Sequence, residues 1–118
     1  GVRIDLVDDS DFSMFALGTT VLTGEARTLL DALGEVLAAE GGELVVRGHT
    51  DARPFRAGEP VNNWTLSAGR AEATRQELLR HGLPAGRFRR IEGVADREPL
   101  IADDPADPRN RRISITVG

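Results

Sequence analysis

The chain has 118 residues, of which 40% are hydrophobic, a length that fits one domain built around one core and leaves little for a second. Nineteen acidic residues against fifteen basic give a net charge of −4, which argues against a partner bound by broad phosphate neutralisation, so no nucleic acid is expected. With no Cys, thiolate and disulfide chemistry are excluded, and with four Phe, one Trp and no Tyr the core must come mainly from Leu, Val, Ile and Ala packed between layers.

In chain order, Val2, Ile4 and Leu6 alternate with Arg3 and Asp5, the period-two pattern of a half-buried strand. The acidic stretch Asp8 to Asp11 ends it. The segment 12–22 carries Phe12, Met14, Phe15, Leu17 and Leu22 without clean periodicity and reads as an ordered loop that packs. Ala26, Leu29, Leu30, Leu33, Val36 and Leu37 then recur at helical steps, with Thr23 as N-cap and Gly41-Gly42 as the stop. A second strand runs from Leu44 into His49-Thr50-Asp51, and residues 52–62, with Pro54, Gly58, Pro60 and Asn62, form a loop. A second helix begins between Asn63 and Ser67 and ends near His81-Gly82, before Pro84. Arg87 to Val94 forms a third strand, Asp96 to Pro108 a long loop, and Arg111 to Val117 a fourth strand with Ile113, Ile115 and Val117 on one face. The order βαβαββ implies an α+β two-layer sandwich, two helices on a mixed four-stranded sheet. No apolar run approaches the roughly 20 residues that cross a bilayer, and no leader pattern opens the chain.

Two charged residues carry the chemistry. Asp51 lies just past the second strand, where loops of layered domains gather ligand contacts; by itself it also suits a turn after Thr50. On the second helix Leu66, Ser67, Arg70, Ala71, Thr74 and Leu78 fall within an arc of about 140° that must face the sheet. Arg70 therefore points inward, about one turn into the helix, where a full charge is costly unless paired; a structural ion pair or a snorkelling side chain would also account for it. An acid at a strand end facing a guanidinium near a helix start suits a zwitterion, with an ammonium on Asp51 and a carboxylate on Arg70 aided by free helix amides, each contact contributing about 1.5–3 kcal/mol. In the empty domain Asp51 and Arg70 are expected to pair with each other. Arg111 shares the parity of Ile113 and Ile115, which gives it a structural pairing. His49 and Asp51 do not make a metal site, since two ligands are too few and His81 lies far along the second helix, so no metal and no cofactor are expected. There is no phosphate loop, and no Ser sits in a nucleophile elbow.

Taken together, Phe15 to Leu22 (FALGTTVL), Gly48-His49-Thr50-Asp51, Leu66-Ser67 with Arg70-Ala71, and Asn110-Arg111-Arg112 resemble the OmpA-like peptidoglycan-binding domain over nearly the whole chain. The run NNWTLSAGRAEATRQELLRHGL at 62–83 and GHTDARPF at 48–55 resemble the flagellar motor B branch of that family. The resemblance implies a noncatalytic periplasmic module. Asp51 and Arg70 would grip the diaminopimelate end of a peptidoglycan stem peptide, with Thr50, Asn63, Leu66 and Ser67 nearby and Phe15 and Arg111 lining or bracing the site. The loop after Asp51 is longer than the family's. For the whole protein the resemblance implies a flagellar stator held in the inner membrane by a helix upstream of Gly1, an ion-channel partner subunit, and a homodimer whose paired sites would add avidity on a polymeric wall. An outer-membrane protein or lipoprotein anchor is the alternative, and a wall hydrolase using paired acids or His49 a more distant one.

Overall fold

The computed structural model describes residues 1–53 and 61–118. Four strands and two helices appear in the expected order: β1 (Val2–Val7), α1 (Gly24–Ala39), β2 (Leu44–His49), α2 (Asn63–Arg80), β3 (Phe88–Gly93) and β4 (Arg112–Val117), with short 3₁₀ turns at Ala85–Arg87 and Pro108–Asn110. The sheet order is β1-β4-β2-β3, β4 running antiparallel to both neighbours and β2 parallel to β3. The parallel pair is bridged by α2, which supplies the crossover such a pair requires.

Alternation along the strands divides the sheet into two faces. Leu6, Leu44, Val46, Ile113 and Ile115 point to the helices and form the core with Leu30 and Leu37 of α1 and Ala71 and Leu78 of α2. The segment between β1 and α1 packs as the apolar content of 12–22 requires: Met14, Phe15 and Leu22 are buried, and an isolated bridge joins Phe15 to Leu22. Thr23 caps α1, its Oγ1 accepting from the Ala26 amide at 3.1 Å and donating to the Ser13 carbonyl at 2.7 Å, so one side chain starts the helix and ties down the loop before it. Asn62 caps α2 through a reciprocal box with Thr65.

Gly48 and Gly93 let α2 lie flush on β2 and β3. A Cβ at Gly48 would stand 2.0 Å from the Ser67 carbonyl oxygen and one at Gly93 2.4 Å from the Ala68 amide nitrogen, both backbone atoms that cannot rotate away. Gly48→Ala is therefore expected to lower stability by about 1–3 kcal/mol or more as α2 lifts from the sheet. Urea denaturation checks this; an unchanged midpoint would mean that the helix can shift freely.

Behind the last turn of β2, Ala95 holds a left-handed backbone (φ 54°), uncommon for a side-chain-bearing residue. Its amide donates to Ser67 Oγ at 3.0 Å and its carbonyl accepts from the Thr50 amide at 2.8 Å. Ser67 thus fixes Ala95, and Ala95 fixes the strand end that carries Thr50 and Asp51.

Candidate functional site

β1 ends and β4 begins beside that strand end. The antiparallel ladder pairs Val7 with Arg112 and continues one step to Asp8, whose amide donates to the Arg111 carbonyl at 3.0 Å. Directly opposed residues share a face, so Asp8 and Arg111 both point toward the helices. Arg111 Nε donates to Asp8 Oδ2 at 3.1 Å and Nη1 to Asp51 Oδ2 at 2.7 Å, one guanidinium bridging two carboxylates that are each less than 10% exposed. Burial works against the Arg111 charge, but its hydrogen bonds to Asp51 and Asp8 and their charges outweigh that and raise its pKa. Asp8 Oδ1 also accepts from the Met14 amide at 2.9 Å, anchoring the packed loop. Asp51 Oδ1 accepts from the Arg53 amide at 3.1 Å, and Arg53 Nε approaches Oδ2 at 3.5 Å from the surface.

Across from this triad lies Arg70, 5% exposed. Its Nε donates to the Thr19 carbonyl at 2.9 Å, and its guanidinium carbon stands 5.0 Å from the centroid of the Phe15 ring, within cation–π range. Among the described residues its two terminal nitrogens make no hydrogen bond and no ion pair. Burial lowers its pKa from the ordinary arginine value; the more distant Asp8 and Asp51 charges raise it and Arg111 opposes them. The expected Asp51–Arg70 pair is thus not formed. Asp51 is engaged by Arg111, because the β1–β4 register brings that guanidinium to the end of β2, while Arg70 is held back by Thr19 and Phe15. Nor do helix amides accompany Arg70. α2 begins at Asn63, nearly two turns earlier rather than one, and the Thr65 amide is already taken by Asn62.

Asp8, Phe15, Thr50, Asp51, Asn63, Leu66, Arg70 and Arg111 line a common cleft of about 280 Å³, completed by Ser13, Leu17, Gly18 and Arg53. Thr50 Oγ1 is buried and has no hydrogen-bond partner among the described residues. Asn63 Nδ2 donates to the Arg53 carbonyl at 3.2 Å. Ser67 is the exception among the expected residues. Fully buried, it spends its hydroxyl on the Trp64 carbonyl and the Ala95 amide and does not reach the cleft. A shallower groove along Thr19, Thr20, Val21, Val61 and Thr65 continues from the cleft through Gly18 and Leu66. Residues 54–60 of the long loop after Asp51 lie outside the described residues.

Asp8 has no place in the expected site. Its signal was available: it has the parity of Ile4 and Leu6, the same inward phase that singled out Arg111, but a run of acids reads first as a strand end. Asn110, within Asn110-Arg111-Arg112, is buried as the clamp of the long loop. Its Oδ1 accepts from the Ile101 amide at 2.7 Å and its Nδ2 donates to the Ile101 and Asp104 carbonyls at 3.1 and 2.9 Å. That loop in turn supports the turn after Asp51, where the Ala52 amide donates to the Pro105 carbonyl at 2.9 Å.

This architecture carries a recognisable pattern. The OmpA family model matches residues 14–112. The chain belongs to the OmpA family. This OmpA-family domain is 38% identical over 118 residues to Motility protein B of Escherichia coli K12, covering 99% of the chain but only 38% of that protein's length. It is 34% identical to the cell wall anchor of the type VI secretion system from Pseudomonas aeruginosa, with a TM-score of 0.78 over 98% of this chain and 80% of that one. The periplasmic domain of Helicobacter pylori MotB shares the fold, with a TM-score of 0.81 at 17% identity over 96% of this chain and 79% of that one.

His49 of the Gly-His-Thr-Asp motif sits on the opposite sheet face from the cleft. Its Nε2 lies 3.1 Å from Ser114 Oγ, which donates to Asp5 Oδ1 at 2.6 Å, and it stands opposite the buried Arg112 across the β2–β4 ladder. Burial first, then the Arg112 charge, lowers its pKa to about 4. Between about pH 6.5 and pH 4 the unfolded chain therefore binds a proton that the folded domain refuses, and stability falls as pH drops through that window. The loss is expected to reach about 3 kcal/mol near pH 4. His49→Gln should remove that part of the acid sensitivity in urea melts at pH 7 and pH 4.5; an identical pH slope in the variant would exclude His49 as its source.

Proposed function

We propose that this chain is a noncatalytic peptidoglycan-binding module in which Arg70 and Asp51 hold the zwitterionic diaminopimelate end of a stem peptide. The observation that carries the reading is the buried guanidinium of Arg70, whose two terminal nitrogens have no partner among the described residues and which lines the same cleft as Asp51. The buried Asp8–Arg111–Asp51 triad has a net charge of −1, which Arg53 offsets only from the solvent-exposed rim, and the buried Arg70 a charge of +1, so the interior of the cleft is polarised, its two sides opposite in sign. An amino-acid headgroup matches this with its carboxylate on the Arg70 fork and its ammonium on Asp51, whose carboxylate has acceptor positions beyond those used by Arg111 and Arg53. The Thr50 hydroxyl, without a partner among the described residues, adds a further contact, and the groove along Val21 and Val61 suits a peptide that continues past its headgroup. Neither acid is free to act as a general base, since Arg111 engages both, which favours binding over hydrolysis.

For the whole protein we infer a periplasmic wall anchor of a flagellar stator, with the membrane helix and ion-channel contacts outside this chain and two such domains per assembly. Similarity to Motility protein B supports the motor, whereas similarity to the type VI anchor supports the same wall site serving another envelope machine. The sequence upstream separates them, a single membrane helix bearing an Asp favouring the stator.

Co-sedimentation with purified peptidoglycan tests the site. The domain is expected to pellet with the wall, to be released by soluble diaminopimelate-containing peptide and to liberate no fragments. Failure to pellet, or release of muropeptides, would overturn the reading.

A further inference from the structure

Two to three turns along α2 from Arg70, a second cluster of charged groups joins the helices. Glu77 of α2 and His81, the residue that caps its C-terminus, stand at i, i+4 spacing, and Asp31 faces them from α1. One donor atom from each lies within 4.8 Å of the other two. His81 Nε2 is 3.0 Å from Glu77 Oε2 and also meets Asp31 Oδ1. The Glu77 side chain is 6% exposed, and its other oxygen is held by Arg80 Nη1 at 3.1 Å, which fixes the carboxylate's orientation.

A single imidazole nitrogen facing two carboxylate oxygens cannot serve both: it offers one hydrogen or one lone pair. Asp31, whose side chain is half-exposed, accordingly has its Oδ1 turned inward with no hydrogen-bond partner among the described residues. A cation at the point of convergence would satisfy all three donors together. We propose that Asp31, Glu77 and His81 form a Zn²⁺ site that cross-links α1 to α2.

The donor set selects the ion. One imidazole with two carboxylates is borderline in softness, which suits Zn²⁺, whereas Mg²⁺ and Ca²⁺ prefer oxygen alone. Ligand lengths of about 2.0–2.2 Å can be met by small side-chain rotations, since the donors already converge. His81 is one-third exposed, which leaves an entry path and room for a water as fourth ligand. The negative end of the α2 dipole, at the same helix terminus, adds a favourable field for a cation. Arg80 then acts from outside the ligand set by holding Glu77, as partners of metal-bound carboxylates commonly do. The signal was hidden in the sequence because Asp31 and His81 are fifty residues apart, and His81 looks isolated until α1 is packed against α2.

The test uses the chelator-stripped domain titrated with ZnCl₂ by calorimetry and with Co²⁺ by visible absorption, alongside Asp31→Asn and His81→Gln. The expected result is one equivalent bound, an upward shift in melting temperature on Zn²⁺ addition, and binding weakened about tenfold or more in each variant. The His81 Nε2 resonance in ¹⁵N spectra should move on Zn²⁺ addition, a readout that needs no variant. Absence of binding in the unmodified domain, binding unchanged in either variant, or a stationary His81 resonance would overturn the site.

Discussion

Arg70→Met is expected to abolish detectable retention of the domain on peptidoglycan while leaving it folded. Methionine keeps most of the apolar stem and removes the guanidinium that lies over Phe15. Loss of one partner from a buried, charge-assisted contact costs about 2–5 kcal/mol, roughly a thirtyfold to several-thousandfold weakening. Stability should change far less. The arginine's described hydrogen bond is Nε to the Thr19 carbonyl, a contribution of about 1 kcal/mol, and relief of a desolvated charge offsets part of it. Arg70→Lys adds a discriminating measurement: it retains the charge but not the planar fork, so a bidentate carboxylate contact predicts weakened binding in Lys as well. Affinity for peptidoglycan within about threefold of the unmodified domain in Arg70→Met, with the same circular dichroism, would remove Arg70 from the proposed site.

How far the site was legible depends on whether its signal was local. The inward phase of Leu66, Arg70, Thr74 and Leu78 follows from helical geometry alone, and all four are buried. The strands and α1 fall where alternation and Thr23 put them, and even the uneven segment 12–22 packs as its apolar residues demand. What single-element patterns do not contain is which ends meet. That Arg111, not Arg70, engages Asp51 follows from β4 lying between β1 and β2, a strand order decided by long-range pairing. The same order turns Asp8 from a strand terminator into a buried counter-charge. Ser67 shows the opposite case, a residue beside Arg70 in sequence whose phase is inward, yet whose partner is the strained backbone at Ala95 and not the cleft.

If Arg111 is the counter-charge that permits two acids to share the mouth of the cleft, then Arg111→Met should be the most destabilising single change at the site. It leaves the Asp8 and Asp51 carboxylates, 6% and 8% exposed, without their shared cation, at a cost of about 3–5 kcal/mol. Packing loss alone could produce a number of that size, so the pH dependence decides the cause. Buried carboxylates that lose a shared cation favour their protonated form. The folded variant then binds more protons than the folded unmodified domain, and the deficit relative to that domain should shrink as pH falls from 7 toward 5. Asp8→Asn combined with Arg111→Met should recover part of the lost stability at pH 7, because one of the two stranded charges is gone. Urea melts of the two variants and the unmodified domain at pH 7 and pH 5 make the comparison. A deficit independent of pH and untouched by Asp8→Asn would assign Arg111 a packing role only, and the polarised cleft would lose the electrostatic basis on which a zwitterionic ligand was inferred.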